Sequence, residues 1–474
     1  MNVHELNEAV GLIDDRHLDR AEQARPRAKR VGWARWTGLA AAVLAIAILL
    51  TTLPGKRSSL TAYALREAVY PEMARYPEGE SLPGFREKNE KWHADLRRQR
   101  AFYGAGTGLD PFFRATVPAF LDGAEGENRV YSPLSVYLAL AMLAEITEGE
   151  SRGQVLALLG SRDMESLRTQ AHAVWNANYR DDGAVVSILG NSLWMNEDLR
   201  GKQTALDTLA ADYYASSYQG KMGSADFSRA YRDWIDAQTG GLLTEQLKDK
   251  KLDEELLLAL VSTICFRAKW NTAFSAAGTR QETFHTPGGD RETDFMHQTD
   301  THGYYAWGNR FSATRLVLRE QAGTLWFILP DEGCSPEELL RDEEAMDFLM
   351  GGDWGNSARL KVNLSLPKFD VQSRLDLQDT LRALGVTDVF SADTADFTPL
   401  LFAGQEAELS AAEHGARVAI DEAGVTAAAY TALQTVGASL PPEEEIDFVL
   451  DRPFLFLLTG PDDLPLFIGI VNAP

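Results

Sequence analysis

Histidines and cysteines are the side chains best suited to metal or nucleophilic chemistry, and this chain of 474 residues spaces them poorly for either. Its eight histidines are scattered, and no pair has the spacing of a zinc-binding helix. Cys265 and Cys334 alone cannot make a disulfide framework or a four-thiolate zinc site. Gly437-Ala438-Ser439-Leu440-Pro441 lacks the second glycine and the strand-to-helix context of a nucleophile elbow. No calcium loop of alternating aspartates occurs. His414, beside Glu413, reads as a structural histidine or as a general base, the first being the commoner role. An enzyme is therefore not expected, and neither a metal nor a cofactor is. The formal charge of −23 leaves no basic footprint for nucleic acid. With 45% hydrophobic and 24% charged residues, most of the chain is globular, not disordered.

The unusual chemistry lies in a segment with no charge. Ala423–Pro442 reads AGVTAAAYTALQTVGASLPP, twenty residues without one charged side chain, and Glu443, Glu444, Glu445 and Asp447 follow at once. The run is too long for an ordinary strand of about 5–6 residues and too rich in alanine to anchor a core. At period two, Val425, Ala427, Ala429, Thr431, Leu433 and Thr435 form a small or apolar face. Thr426, Ala428, Tyr430, Ala432, Gln434 and Val436 form a face that tolerates water. The segment can sit exposed as a loop or enter a sheet as a strand. A buried unpaired charge, which would cost several kcal/mol, is absent. A buried strand or a linker is the plainer reading of the same composition.

The elements that would position this segment lie in a body spanning residues 109–474. Asp110 to Leu121 has the pattern of an amphipathic helix, and Ser132 followed by Pro133 is an N-cap with proline at the first helical position. Strand-like runs fall at Val185–Met195, Leu256–Phe266, Thr324–Leu329, Arg359–Phe369, Arg417–Asp421, Phe454–Leu458 and Leu466–Val471. Strands and helices mixed without βαβ regularity imply an α+β body with large antiparallel sheets. Residues 54–108 read as a stem, with Pro71, Pro77 and Pro83, one helical stripe (Phe85, Trp92, Leu96, Tyr103) and a flexible joint at Gly104–Gly108.

The N-terminus differs in kind. Trp36–Leu53 is 18 residues without a charge, about 27 Å as a helix and close to a bilayer's hydrocarbon thickness. Seven basic residues precede it, while Lys56 and Arg57 follow closely. That asymmetry predicts a single-pass signal-anchor over 36–53, a cytoplasmic tail over 1–35 and an exported bulk, with shedding or secretion as the other fate. A cleaved signal peptide, for which Thr51–Gly55 is a poor site, and a buried core helix are the alternatives. From Ser58 onward 37 bases face 63 acids, a formal charge of −26 that suits a soluble, repulsive surface.

From about residue 110 to 474 the chain resembles a serpin. NRVYSPLS at Asn128–Ser135 looks like the family's Asn-x-x-x-Ser-Pro-x-Ser shutter segment, and FRAKW at Phe266–Trp270 is similar to its Phe-Lys-Gly-x-Trp motif. LSLPKFDV (Leu364–Val371), LGVTDVF (Leu384–Phe390), DRPFLFLL (Asp451–Leu458) and PLFIGIVNAP (Pro465–Pro474) resemble further family segments. IDEAGVTAAA at Ile420–Ala429 looks like the proximal hinge of inhibitory members. With the anchor, the resemblance is to an inhibitory, membrane-anchored, bacterial-like member.

The resemblance implies three β-sheets, about nine helices and an exposed reactive-centre loop. It implies a suicide-substrate inhibitor whose cut loop inserts into the main sheet and carries off an acylated protease. The hinge would be Glu422, Gly424, Val425, Thr426, Ala427, Ala428 and Ala429; the shutter and breach would be Asn128, Ser132, Pro133, Ser135, Ser262, Trp270 and His414. Counting from Glu422 by the common loop length puts the reactive bond at Ala438–Ser439, with Val436–Gly437 or Leu440 as other registers. Alanine there suits an extracellular elastase- or subtilisin-like serine protease, or a cysteine protease, met by a monomer. Two positions depart from the pattern. Ser262 stands where the shutter asparagine is expected, so that His414 would reach Ser132 through a hydroxyl or water, and Val425 replaces the usual hinge threonine. The alternative function is a non-inhibitory binding or chaperone protein of the same fold.

Overall fold

The computed structural model describes residues 60–78, 84–123, 126–351, 354–425 and 444–474. In chain order the strands are β1 (Ala64–Arg66), β2 (Arg129–Tyr131), β3 (Arg180–Asp181), β4 (Val186–Asn196), β5 (Ala215–Gly220) and β6 (Leu258–Lys269). They continue with β7 (Arg280–Thr286), β8 (Gly289–Trp307), β9 (Phe311–Val317), β10 (Thr324–Pro330), β11 (Ser357–Pro367) and β12 (Asp370–Asp376). The last are β13 (Leu409–Ala419), β14 (Gly424–Val425), β15 (Glu445–Val449), β16 (Phe454–Thr459) and β17 (Pro465–Val471). The main sheet is eight-stranded in the order β1-β5-β4-β6-β13-β12, with β3 on β4 and β14 on β6. The other is nine-stranded, β15-β11-β8-β9-β10-β16-β17-β2, with β7 on β8.

Period-two alternation gives the main sheet two buried faces. Leu258, Leu260, Ile264 and Phe266 of β6 join the large core, while Ala259 and Val261 face a smaller aromatic cluster of Trp194, Tyr218, Phe227, Tyr231 and Trp234. The helix Ala225–Gln238 covers that outer face. Under the inner face runs the helix Pro133–Ile146, which touches β6 and also β17 of the second sheet. It is apolar all round and buried along almost its whole length, as a helix sandwiched between layers must be. The Ser132 hydroxyl caps it by accepting the Ser135 N–H.

The mixed α+β class is present, but two details of the expectation change. The described residues hold two large sheets where three were expected. The 19-residue β8 pairs with β7 over Gly289–Phe295, with β11 over Phe295–Ala306 and with β9 over Tyr305–Trp307, which fuses two ladders into one. Eleven α-helices are found among the described residues where about nine were expected, two of them single turns of four residues.

The expected stem is not set apart from the body. Contacts divide the chain between Ser58 and Ser59, and everything described from Leu60 onward belongs to one unit. β1 extends the main sheet by pairing antiparallel with β5. The Tyr70 ring packs against Trp175, Tyr179 and Tyr214 and its hydroxyl donates to Gln238 Oε1 (3.1 Å). Trp92, on the helix Phe85–Arg100, donates its indole N–H to Asp182 (2.7 Å), which also pairs with buried Arg180 (2.6 Å). The glycine run at 104–108 is a packed turn rather than a joint: a Cβ on Gly106 would overlap Leu464. Trp36–Leu53 lies outside the described residues, among which no helix is long and apolar enough to cross a membrane.

Candidate functional site

The site is the seam between β6 and β13 at the centre of the main sheet. These strands run parallel and pair from Leu258↔Leu409 to Thr263↔Gly415. Beyond that point they part. Ile264–Arg267 pair with β4 only, and Ala416–Ala419 with β12 only, so each strand keeps a partner on its outer side while the inner edges face a gap. At the far end of this gap sits β14, antiparallel to β6, with Gly424 opposite Lys269 and Val425 opposite Ala268. Val425 also bridges to Ile420, just past the end of β13, and is fully buried. Gly424 and Val425 of the hinge are thus already inside the sheet.

The breach residues hold them there by their backbone. Trp270 is buried; its amide donates to Ala423 O (3.0 Å) and its indole N–H to Asp421 O (2.8 Å), while the Phe274 amide donates to Glu422 O (2.9 Å). Asp421 turns the chain by accepting the amides of Ala423 (2.8 Å) and Gly424 (3.1 Å). Gly424 permits the close approach, because a Cβ there would run into the Ala268 carbonyl. The Glu422 carboxylate takes Lys368 (2.7 Å) and the Thr279 hydroxyl (2.7 Å). Partial burial works to raise its pKa, but Lys368 and Thr279 outweigh this and hold it below the ordinary glutamate value. Thr426, Ala427, Ala428, Ala429, Ala438 and Ser439 lie outside the described residues.

The shutter closes the paired half of the seam from beneath. Ser135 and Ser262 join hydroxyl to hydroxyl (2.7 Å), and the Ser262 hydroxyl lies 3.1 Å from Ser135 O. His414 is fully buried opposite Ser262, and its Nε2 accepts the Ser132 backbone N–H directly (3.1 Å). This corrects the expected link through a hydroxyl or water: the backbone amide at the start of the helix supplies the donor. Burial pushes the His414 pKa down to about 4, with the nearby Ser262 main chain weakly opposing it. Accepting through Nε2 also requires the neutral ring. Its Nδ1 finds no partner, and neither end of the buried Asn191 amide, across β6 on β4, finds one either. Asn128 does not join this group. It ties the C-terminus instead, accepting the amides of Asn472 (2.7 Å) and Ala473 (2.9 Å) and donating to Ala473 O (2.6 Å).

One site residue escaped the motif reading. Glu413 points to the opposite face from His414 and collects the Tyr231 hydroxyl (2.8 Å), Lys250 (2.6 Å) and Arg374 (2.6 Å). Burial raises its pKa, but Arg374 and Lys250 prevail and it remains below the ordinary value. It fastens the covering helix to β13 across the seam. The charge beside His414 was its only signal in the sequence.

A family model described as Serpin (serine protease inhibitor) matches residues 116–474. The chain belongs to the serpin family. Its members are in general serine protease inhibitors, and the relatives are named accordingly. The serpin is 28% identical over 379 residues to plasminogen activator inhibitor 1 of Mus musculus, covering 75% of this chain and 89% of that one. It is 27% identical over 387 residues to mouse alpha-1-antitrypsin 1-1, covering 79% and 90%. Among solved structures it is similar to the thermophilic serpin tengpin in the native state, with TM-score 0.70 and 23% identity over 87% of this chain and all of that one. Human thyroxine-binding globulin bound to its hormone has the same fold, with TM-score 0.68 and 21% identity, covering 79% of this chain and 99% of that one.

Proposed function

We propose that this serpin is a suicide-substrate inhibitor of an elastase- or subtilisin-like serine protease, tethered to a membrane by Trp36–Leu53. The observation that carries the reading is the divided seam with Gly424 and Val425 at its mouth. A protease serine attacks the Ala438 carbonyl, the bond to Ser439 breaks with its nitrogen leaving as the amine, and an ester to Ala438 remains. The freed segment from Thr426 onward then continues the path that β14 begins, pairing with the inner edges of β6 and β13. Each added ladder bond contributes about 1 kcal/mol net, and no charge from Ala423 to Pro442 opposes insertion. The insertion drags the acylated protease along and distorts it before water can release it.

Incubating the chain with an elastase is expected to give a covalent adduct that survives SDS and boiling. Quantitative cleavage of the loop with no adduct would sink the reading.

A further inference from the structure

Beside the mouth of the seam lies a cavity of about 100 Å³, walled by Trp270, Gln298, Tyr304, Arg315 and Arg359. Its volume suits roughly three waters or one small ion, well below the size of a drug-like ligand site. Arg315 on β9 stacks over Trp326, its cross-strand neighbour on β10, at 4.8 Å and over Tyr304 of β8 at 4.6 Å. Arg359 of β11 lies 5.3 Å from the same Tyr304 ring. The aromatic rings hold the Arg315 guanidinium in place, yet it makes no hydrogen bond or ion pair with any described residue. Asp300, the carboxylate on the cavity wall, accepts the His302 amide (2.9 Å) and pairs with neither arginine.

Two further features agree. The buried Gln298 Oε1 has no partner, and turning that amide over would present its N–H groups to the same space. Burial lowers the Arg315 pKa and the Arg359 charge lowers it further, against smaller opposing effects of Tyr304 and Asp463, as expected where two cations share a partly buried site. A half-buried guanidinium is a planar fork of donors suited to bidentate binding of oxygen pairs.

We propose that this cavity is a binding site for a small oxyanion, phosphate or carboxylate, gripped by Arg315 and Arg359 and completed by the Gln298 amide. The cavity shares Trp270 with the hinge contacts, so an occupied site would brace the mouth of the seam and slow loop insertion. That consequence rests on the inhibitor reading; the binding itself does not.

The test is a titration of the full chain with inorganic phosphate, and separately with succinate, followed by tryptophan fluorescence with sodium chloride holding ionic strength constant. Saturable binding of either is expected, and the arm that saturates assigns the tetrahedral or the carboxylate ligand. Affinity should fall about tenfold in Arg315→Lys, which keeps the charge and loses the fork, and in Arg359→Gln, whose exposed side chain does not threaten folding. No saturation beyond the chloride control, or unchanged affinity in both variants, overturns the site. A protein that binds the anion but forms no adduct leaves the site standing and removes only its link to insertion.

Discussion

The two halves of one seam differ more than the two sheets do. From Leu258 to Thr263, β6 is paired with β13, bolted beneath by Ser135, Ser262 and His414 and above by Glu413. From Ile264 to Arg267 the same strand has a partner on its β4 side only, and hinge backbone occupies the far end. The paired half is fastened by side chains from elements distant in sequence. The open half is held by main-chain bonds from Trp270 and Phe274 to a segment whose side chains bring no charge past Glu422. On the proposed inhibitor reading, side-chain bolts would set how far the sheet opens, and the neutral backbone what can enter.

The strongest way to break this contrast is to cut the loop. If the open half and then the paired half fill with loop, about ten new ladder bonds at ~1 kcal/mol each should raise the melting temperature of a unit this size by about 10 °C. Calorimetry of cut and intact chain measures this, and equal melting temperatures would mean the gap stores nothing. Next in size is Val425→Arg, which puts an unpaired charge at the buried contact with Ala268. Its cost of several kcal/mol should turn inhibitor into substrate, read as cleavage products replacing the adduct on a denaturing gel.

Acid acts on the bolted half. The unfolded chain holds the ordinary histidine value of 6.5, whereas His414 folded lies at about 4, so between these values the unfolded chain binds more protons. Stability is therefore full above pH 6.5 and falls as pH drops toward 4, by about 3 kcal/mol at 1.36 kcal/mol per unit. Denaturant titrations across that window should show the slope, and His414→Gln should flatten it. The smallest effect is expected from Ser262→Asn. Its amide reaches toward the unpartnered His414 Nδ1 and Asn191 amide, which should stabilise the closed seam by about 1 kcal/mol and slow insertion. A loss of stability instead would mean that buried water already serves those atoms.

Much of this site could be read before any coordinates. Ser132 and Pro133 declared a helix start because capping is local, and Trp270 and His414 were named from motif position. Other features depend on distant contacts. Glu413 looked like one acid among many until Tyr231, Lys250 and Arg374 converged on it. Trp92 was placed correctly on a helical stripe, but nothing in its neighbourhood told that Asp182 would accept its indole N–H. The three residues of β1 are too few to show an alternation, so residues 54–108 read as a stem. β8 was missed because much of it is exposed and polar, which hides the period-two pattern.

Spacing and side-chain chemistry alone determined the α+β body, the capped helix and the uncharged ribbon, since each depends on residues within a few turns or strand repeats of one another. Where the seam divides, which partner Asn128 takes and where the folded unit begins were decided only in three dimensions. Those features rest on contacts between residues far apart in the chain, 127 positions for Ser135 and Ser262 and 345 for Asn128 and Ala473. No local pattern encodes such a meeting, because packing of the whole core brings the two residues together.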